Sequence, residues 1–244
     1  MLDRSTYLFD LDGTLLPMEI EEFMEIYFKA LTSEFRDLGQ PREVVDKLMA
    51  ATGDMINNDG QQTNKQVFID SFFERVDVDN TGEIMERFDR FYREHFPRLE
   101  SKFQFDNRAE GVIEMLKDHG YRLVIATNPL FPRQAITARV KWANLNPGDF
   151  EFITAYDNMH YSKPNPDYYR ELMEKLDQTP GDCVMVGNDR QEDMIAGNLG
   201  IYTCMITDYS IDRGRKNIKP DWSGTMEELE QYLEQHLVVA DNTG

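Results

Sequence analysis

The sequence predicts an α/β fold, in which a parallel sheet carries helices on both faces and an all-helical block interrupts the chain after the first strand. Two observations support this prediction. From about residue 105, segments with helical periodicity alternate with short apolar runs, a pattern typical of parallel strands buried on both faces. Residues 19 to about 100 contain no convincing strand and repeat apolar residues at intervals of three and four.

Five apolar runs are the predicted strands. The first is TYLFD, which begins at Thr6, and the others are YRLVIAT, FEFITA, CVMVGN and YTCMIT. Each of these four follows a predicted helix, and those helices are RAEGVIEMLKDHG, PRQAITARVKWANL, PDYYRELMEKL and DMIAGNLG. A last helix, TMEELEQYLEQHL, has Thr225 and Glu228 in capping-box spacing. The second half of the chain is therefore predicted to complete a five-stranded βα core.

The helical block is predicted to contain four amphipathic helices: EEFMEIYFKALTSEF, VVDKLMAA, KQVFIDSFFERV and EIMERFDRFYREHF. Polar or glycine-containing breaks separate them at 37–41, 52–63 and 77–82. We therefore expect a core domain made of residues 1–17 and 103–237, a helical domain at 18–102 and a tail at 238–244.

Composition excludes several classes of partner. The formal charge of −19 repels nucleic acid and anionic membrane surfaces, and no basic stripe offsets it. No run approaches the roughly 20 apolar residues that span a bilayer, and no signal-peptide hydrophobic region precedes the first strand. We expect a cytoplasmic protein that binds neither nucleic acid nor membrane and has no obligate protein partner.

Neither cysteines nor histidines suggest a metal or redox site. Cys183 and Cys204 lie in predicted strands without CxxC spacing, so we expect buried free thiols with packing roles. The four histidines, at positions 95, 119, 160 and 236, show no ligand spacing.

The segment TYLFDLDGT carries most of the chemical information. Asp10 and Asp12 are two residues apart at the end of a strand, so their side chains project to the same face, and Gly13 permits a sharp turn after them. Two buried carboxylates without a cation would be costly, which suggests a metal and chemistry. A simple Asp-Gly hairpin turn is the plainer alternative. An EF-hand loop is excluded because Leu15 occupies its glycine position.

Chemically active residues also follow the other predicted strands. Ligands of open parallel sheets bind at the carboxyl ends of the strands, where the sequence places six further residues. They are Thr127 and Asn128 after YRLVIA, Lys163 in the loop after FEFITA, Asn188 and Asp189 after CVMVG, and Asp193 one turn later. One site would thus gather four acids, one lysine and one threonine.

Together these motifs resemble the haloacid dehalogenase-like hydrolase superfamily, whose members are mostly phosphatases. The resemblance extends from Thr6 to about Thr207, with FDLDGTL similar to the first family motif, ATN to the second, SKPNP to the third and GNDRQEDMIAG to the fourth. All four occur in order, each after a predicted strand. The resemblance implies a Rossmann-like core and a helical cap domain that covers the site and selects a small phosphorylated metabolite.

The resemblance also implies a role for each motif residue. Asp10 would be the nucleophile that forms an aspartyl-phosphate, and Asp12 the general acid and base. Thr127, Asn128 and Lys163 would bind the phosphoryl group. Magnesium would be the cofactor, a hard cation held by Asp10, by the backbone carbonyl of Asp12 and by Asp189 or Asp193 in the fourth motif. This would be a magnesium-dependent phosphatase acting on a phosphomonoester.

One departure concerns the metal. The common fourth motif has aspartate directly after its glycine, but this chain has Asn188 there and Asp189 next. Either residue could contact the ion, and an acid pair at a helix start could instead serve as a cap.

The polar loop 51–63 and Arg133 are near enough to contact substrate, although ordinary loop roles are the better expectation for both.

Three other functions are open to test. A phosphomutase would share the core, but the insertion shows no clear mutase signature. A non-catalytic binding or regulatory protein could keep the fold and the metal site, and the Asn188 departure leaves this alternative open. A dehalogenase is disfavoured because that chemistry uses no magnesium and lacks the second aspartate that Asp12 provides.

Overall fold

A computed structural model of the chain describes residues 1–106, 108–214 and 218–241. Within these residues, six parallel strands form one sheet in the order β3-β2-β1-β4-β5-β6. The α/β class predicted from the sequence is confirmed. The strands are β1 (Thr6–Phe9), β2 (Arg122–Ile125), β3 (Phe152–Ile153), β4 (Cys183–Gly187), β5 (Tyr202–Ile206) and β6 (Trp222–Gly224).

The first strand lies at the centre of the sheet. Its last residue, Phe9, is level with Ile125 of β2 on one side and with Val186 of β4 on the other. Strands β2 and β3 lie on one side of β1, and β4, β5 and β6 lie on the other side. The strand order therefore reverses at β1, and a crevice opens beyond the carboxyl ends of β1, β2 and β4. The strand order therefore places the first, second and fourth motifs at the same edge of the sheet.

Helices cover both faces of the sheet. On one face lie α5 (Ala109–Asp118) and α8 (Met226–Asp241), whose Leu116 and Leu233 are buried in the same apolar cluster as β1. On the other face, α7 (Pro166–Leu176) buries Tyr168 and Leu172 against β4. The remaining core helix is α6 (Arg133–Trp142), which follows β2.

The helical insertion consists of α1 (Ile20–Ser33), α2 (Pro41–Ile56), α3 (Asn64–Arg75) and α4 (Thr81–Arg90), followed by a π-helical turn (Phe91–His95) and a 3-10 segment (Phe96–Lys102). The break predicted at 52–63 is wrong for its first five positions, which are the last residues of α2. Burial of Met55 stabilises this turn, and the Thr52 hydroxyl donates to the Leu48 carbonyl at 2.9 Å. The polar composition that suggested a loop reflects exposure of the helix instead.

Three further features of the secondary structure differ from the sequence prediction. The edge strand β6 was missed because its three residues carry no apolar run. The segment DMIAGNLG forms a 3-10 helix (Met194–Leu199) that ends where Gly200 adopts a φ of 95°. The last helix continues to Asp241, beyond the predicted boundary at 237, and the final tail residues 242–244 lie outside the described residues. Thr225 and Glu228 do form the predicted capping box.

Asn64 anchors the helical insertion to the core. Its fully buried side chain donates to the Pro129 carbonyl at 3.3 Å and to the Ser162 hydroxyl at 3.0 Å, and accepts from the Asn58 amide at 2.9 Å. Its backbone N–H also donates to the Met159 carbonyl at 2.9 Å. The start of α3 is thus bonded to the loops that follow β2 and β3.

No helix in the described part of the chain is long and apolar enough to cross a membrane.

We predict that Asn64→Ala lowers the free energy of unfolding by about 2 to 4 kcal/mol, because buried partners lose their hydrogen bonds. The exposed Asn57, whose side chain makes one bond to the Gly53 carbonyl, is the matched control. Asn57→Ala should cost less than about 1 kcal/mol. Urea denaturation of the three proteins measures both changes, and equal losses would show that the Asn64 contacts do not hold the insertion.

Candidate active site

A buried lysine joins two of the predicted acids. The Lys163 ammonium is 2.6 Å from Asp193 Oδ1 and 3.2 Å from Asp10 Oδ1. Lys163 and Asp193 are each 1% exposed and Asp10 is 8% exposed, so the three charges are largely removed from water. Burial alone would lower the pKa of Lys163, but the two carboxylates raise it well above its ordinary value. Lys163 is therefore cationic at neutral pH.

Two glycines allow the backbone to approach this site closely. A Cβ on Gly13 would lie 2.2 Å from Asn188 Nδ2, and the φ of 80° at Gly13 is one that other residues rarely adopt. A Cβ on Gly187 would lie 2.2 Å from Asp193 Oδ2. Gly13 thus lets the turn after β1 meet the end of β4, and Gly187 leaves space for the Asp193 carboxylate.

Asp12 has a cationic partner of its own. Arg139, from the middle of α6, forms an ion pair with Asp12 Oδ2, while Asp12 Oδ1 is buried and has no hydrogen-bond partner among the described residues. The Arg139 guanidinium is 1% exposed and lies 4.5 Å from the Phe131 ring centroid. Burial raises the pKa of Asp12, Arg139 opposes that shift, and the nearby Asp10 charge reinforces it.

Asn188 and Asp10 share a hydrogen-bond partner. The Thr14 hydroxyl is 3.3 Å from Asn188 Oδ1 and 3.5 Å from Asp10 Oδ2, and can donate to either oxygen. The Asn188 amide donates to the Tyr209 carbonyl at 2.6 Å, which directs its oxygen toward Thr14. Two oxygens of the kind that magnesium prefers therefore converge on one hydroxyl.

Asp189 is engaged differently. Its Oδ1 accepts the backbone N–H groups of Gln191 and Glu192, both at 2.9 Å, and its Oδ2 forms an ion pair with Arg213. Arg213 also lies 3.5 Å from Glu192 Oε1. The Asp189 side chain thus caps the turn that follows it and binds the loop after β5. Of the two fourth-motif alternatives, Asn188 is the residue that shares the Thr14 hydroxyl with Asp10.

The second motif lies across the site from the fourth. The backbone carbonyl of Thr127 accepts from the Thr154 hydroxyl at 2.7 Å and from the Tyr168 hydroxyl at 3.1 Å, which fixes the end of β2. The Asn128 amide donates to Glu192 Oε2 at 2.9 Å and to the Lys163 carbonyl at 3.3 Å. Asn128 Oδ1 is buried without a partner among the described residues.

These residues meet at one cavity of about 420 Å³ between the core and the helical insertion. The predicted residues at its polar end are Asp10, Asp12, Thr127, Asn128, Asn188, Asp189 and Asp193. Lys163 lies beneath them through its ion pairs with Asp10 and Asp193.

Thr52 and Ile56, from the segment predicted as a polar loop, line the cavity, whereas Arg133 lines a separate groove. Within the described residues, no three acid, histidine or cysteine side chains form a ready metal cluster.

Sequence reasoning missed four residues at this site: Thr14, Arg139, Glu192 and Arg213. A signal for Arg139 is present, because it lies between the apolar residues Ile136 and Val140 of α6, and a buried cation requires a partner. Arg213 lies in a loop without periodicity, and nothing in the sequence pairs it with Asp189.

Comparison with known proteins agrees with the motifs. The family model of the haloacid dehalogenase-like hydrolases matches residues 5–199, so this chain belongs to that family and is a hydrolase. A curated relative, pyrophosphatase PpaX from Bacillus cereus (strain Q1), is 23% identical over 204 residues, which is 83% of either chain.

Solved structures share the fold. A HAD phosphatase from Thermococcus onnurineus is 22% identical, with a TM-score of 0.57 over 94% of this chain and 97% of its own. The putative HAD-hydrolase YfnB from Bacillus subtilis, bound to magnesium, is 20% identical, with a TM-score of 0.56 over 95% and 99%. Dehalogenases share this fold as well, so the fold alone does not select the reaction.

The contact between Gly13 and Asn188 yields a prediction. Gly13→Ala should lower the rate of substrate turnover about a hundredfold, because the added Cβ must displace Asn188 and the turn after β1 from each other. Gly120 is a matched control, since it has a similar φ of 76° but no atom within 4 Å of an added Cβ. Steady-state kinetics should show near-normal turnover for Gly120→Ala. Equal activity of the two variants would mean that this close approach does not matter to the site.

Proposed function

We propose that this chain is a magnesium-dependent phosphatase that hydrolyses a small phosphomonoester through an aspartyl-phosphate on Asp10. The observation that carries the proposal is the buried Lys163 between Asp10 and Asp193 at the end of the cavity. A carboxylate that is oriented by a cation and open to a cavity can act as a nucleophile. The same cation can neutralise the charge of a phosphoryl group that approaches it.

The reaction has two steps. First, an Asp10 carboxylate oxygen forms a bond to phosphorus while the bond from phosphorus to the ester oxygen breaks, and Asp12 gives its proton to the departing oxygen. Second, Asp12 takes a proton from water as the water oxygen bonds to phosphorus, and the bond between Asp10 and phosphorus breaks. Inorganic phosphate leaves and both aspartates return to their original states.

The environment of Asp12 supports its role as acid and base. Arg139 holds one carboxylate oxygen, and the other oxygen is buried without a hydrogen-bond partner among the described residues. The pKa of Asp12 is raised mainly by burial, which favours the protonated form that the first step needs. One oxygen thus fixes the orientation of the side chain, and we assign proton transfer to the other oxygen, which makes no other hydrogen bond among the described residues.

The donor set suits magnesium. Asp10 Oδ2 and Asn188 Oδ1 both face the Thr14 hydroxyl, and magnesium binds through one or two such oxygens plus phosphate and water. We propose Asp10, the Asp12 backbone carbonyl and Asn188 as its protein ligands, with Asp189 holding the loop that contains Arg213. When bound, the ion would supply charge neutralisation between the nucleophile and the phosphoryl oxygens. The structure of YfnB is bound to magnesium, which supports the choice of this ion.

A pyrophosphatase is the second candidate, since the curated relative has that name. The chemistry at Asp10 would be the same, and the leaving group would be phosphate. A phosphomutase and a non-catalytic binding protein are the remaining alternatives. Net release of phosphate from monoesters separates the phosphatase from both of these.

We predict that Asp10→Asn lowers phosphate release from aryl phosphates, assayed with magnesium, by at least about a thousandfold, because the amide is not a nucleophile. Thermal unfolding checks that the variant is folded. Asp59→Asn, at an exposed acid in the loop before α3, is the control and should retain activity. Undiminished release by folded Asp10→Asn would exclude Asp10 as the nucleophile.

Arg139 is proposed as a positioning residue that acts through Asp12. Arg139→Met should lower kcat about 10- to 100-fold and leave KM nearly unchanged, because it disturbs proton transfer and not substrate binding. Arg139→Lys, which keeps a cation, should recover part of kcat. An unfolding curve for each variant checks for global loss of structure. A folded Arg139→Met protein with normal kcat, or with a change confined to KM, contradicts this role.

A further inference from the structure

The cavity has a polar end and an apolar wall. Asp10 and its neighbours form the polar end, whereas the wall from the helical insertion consists mainly of methionine, phenylalanine, leucine and isoleucine side chains. Residues 18–102, all of which the structure describes, contribute no lysine, arginine or histidine to the lining. A substrate whose phosphoryl group reaches Asp10 would therefore place the rest of its structure against apolar surface.

Three hydroxyl groups, those of Tyr27, Thr52 and Tyr92, are the polar side-chain groups of this wall. The Tyr27 and Tyr92 hydroxyls bond to each other at 2.6 Å, and the Thr52 hydroxyl donates to the Leu48 carbonyl. A hydroxyl-rich leaving group would regain few of the bonds that it loses to water here, which is unfavourable. An apolar leaving group would gain free energy from burial against the same wall.

The charges in the cavity also restrict the substrate. Five of its lining residues are acidic, and Arg213, the one lining cation in the described part of the chain, is paired with two of them, Asp189 and Glu192. Lys163 offers one further cation below the lining. A leaving group with its own negative charge, such as the second phosphate of pyrophosphate, would extend away from Lys163 and would find no cation on the wall.

The mouth of the cavity is apolar too. Met49 and Ile56 are the two large apolar side chains classed as exposed among the described residues, at 47% and 40%, and both line this cavity. Exposed apolar side chains grouped around one opening indicate a binding site more strongly than isolated ones do. The volume of about 420 Å³ is that of a small-molecule site.

We propose that the substrate is the phosphomonoester of an uncharged apolar alcohol or phenol, whose hydrocarbon part packs against the helical insertion. This inference rests on the proposed phosphatase function and names its substrate class. It separates this chain from a pyrophosphatase such as the PpaX relative, because pyrophosphate offers no apolar surface to the wall.

The test compares five substrates with magnesium present. Hexyl phosphate and 5-hydroxypentyl phosphate have nearly the same size and leaving-group basicity and differ in one terminal hydroxyl. We expect kcat/KM for hexyl phosphate to exceed that for the hydroxylated ester by at least about tenfold, since burial of an unbonded hydroxyl costs about that much. Pyrophosphate should be poorer than both esters. 2-Naphthyl phosphate, compared with phenyl phosphate, shows whether aryl groups gain from the wall in the same way.

Variants at the mouth locate the effect. Met49→Gln should raise KM for hexyl phosphate about fivefold with little change in kcat, because part of the buried apolar area is lost. Met49→Leu preserves the apolar surface, so its change in KM should be smaller. Val45→Gln places the same polar side chain on α2 at a position that does not line the cavity, and should leave KM unchanged.

The outcomes separate the two proposals. Equal or faster turnover of 5-hydroxypentyl phosphate would overturn the substrate class and leave the phosphatase function standing. Equal or faster turnover of pyrophosphate would overturn the substrate class and favour the pyrophosphatase alternative. Equal changes in KM for hexyl phosphate in Met49→Gln and Val45→Gln would likewise overturn the proposal that the substrate packs against the apolar wall. No Asp10-dependent phosphate release from any of these compounds would overturn the phosphatase function and the substrate class with it.

Discussion

The ion pairs of Lys163 with Asp10 and Asp193 are the interaction on which the arrangement of this site depends. They join the end of β1, the loop after β3 and the turn after β4, which are far apart in the sequence. A buried charge is tolerated only with partners, and removing one partner of a buried pair is typically destabilising by about 3 to 5 kcal/mol. The three residues therefore stabilise one another's position as well as their charge states. The same cation lies where a phosphoryl group would meet the proposed nucleophile.

The acids of the site differ in their surroundings, and this difference separates their chemistry. Asp10 faces Lys163 and Thr14, Asp12 faces Arg139, and Asp189 faces Arg213 and backbone N–H groups. Neighbouring carboxyl groups with different partners can hold different protonation states at one pH. This is the arrangement that a nucleophile and a separate proton donor require. The chain has a formal charge of −19. Lys163 and Arg213 each lie between two acids that would otherwise repel each other.

The sequence predicted the sheet and the strand ends well because both depend on short-range patterns. Apolar runs identified five strands, and the motifs after them identified residues that the strand order brings to one cavity. The partners of those residues depend on contacts across long separations. Arg139 and Asp12 are 127 positions apart, and Arg213 reaches Asp189 from an irregular loop. The extent of α2 and the existence of β6 were also set by packing that composition does not reveal.

The most direct test of the account is to locate phosphate on the protein during turnover. Acid quench of the wild-type enzyme within one turnover of an aryl phosphate, followed by peptide mapping, would identify the phosphorylated residue. The account predicts one phosphoryl group on Asp10, formed and lost at rates compatible with kcat. Phosphate on another residue would contradict it, as would full turnover with no phosphorylated peptide at any quench time.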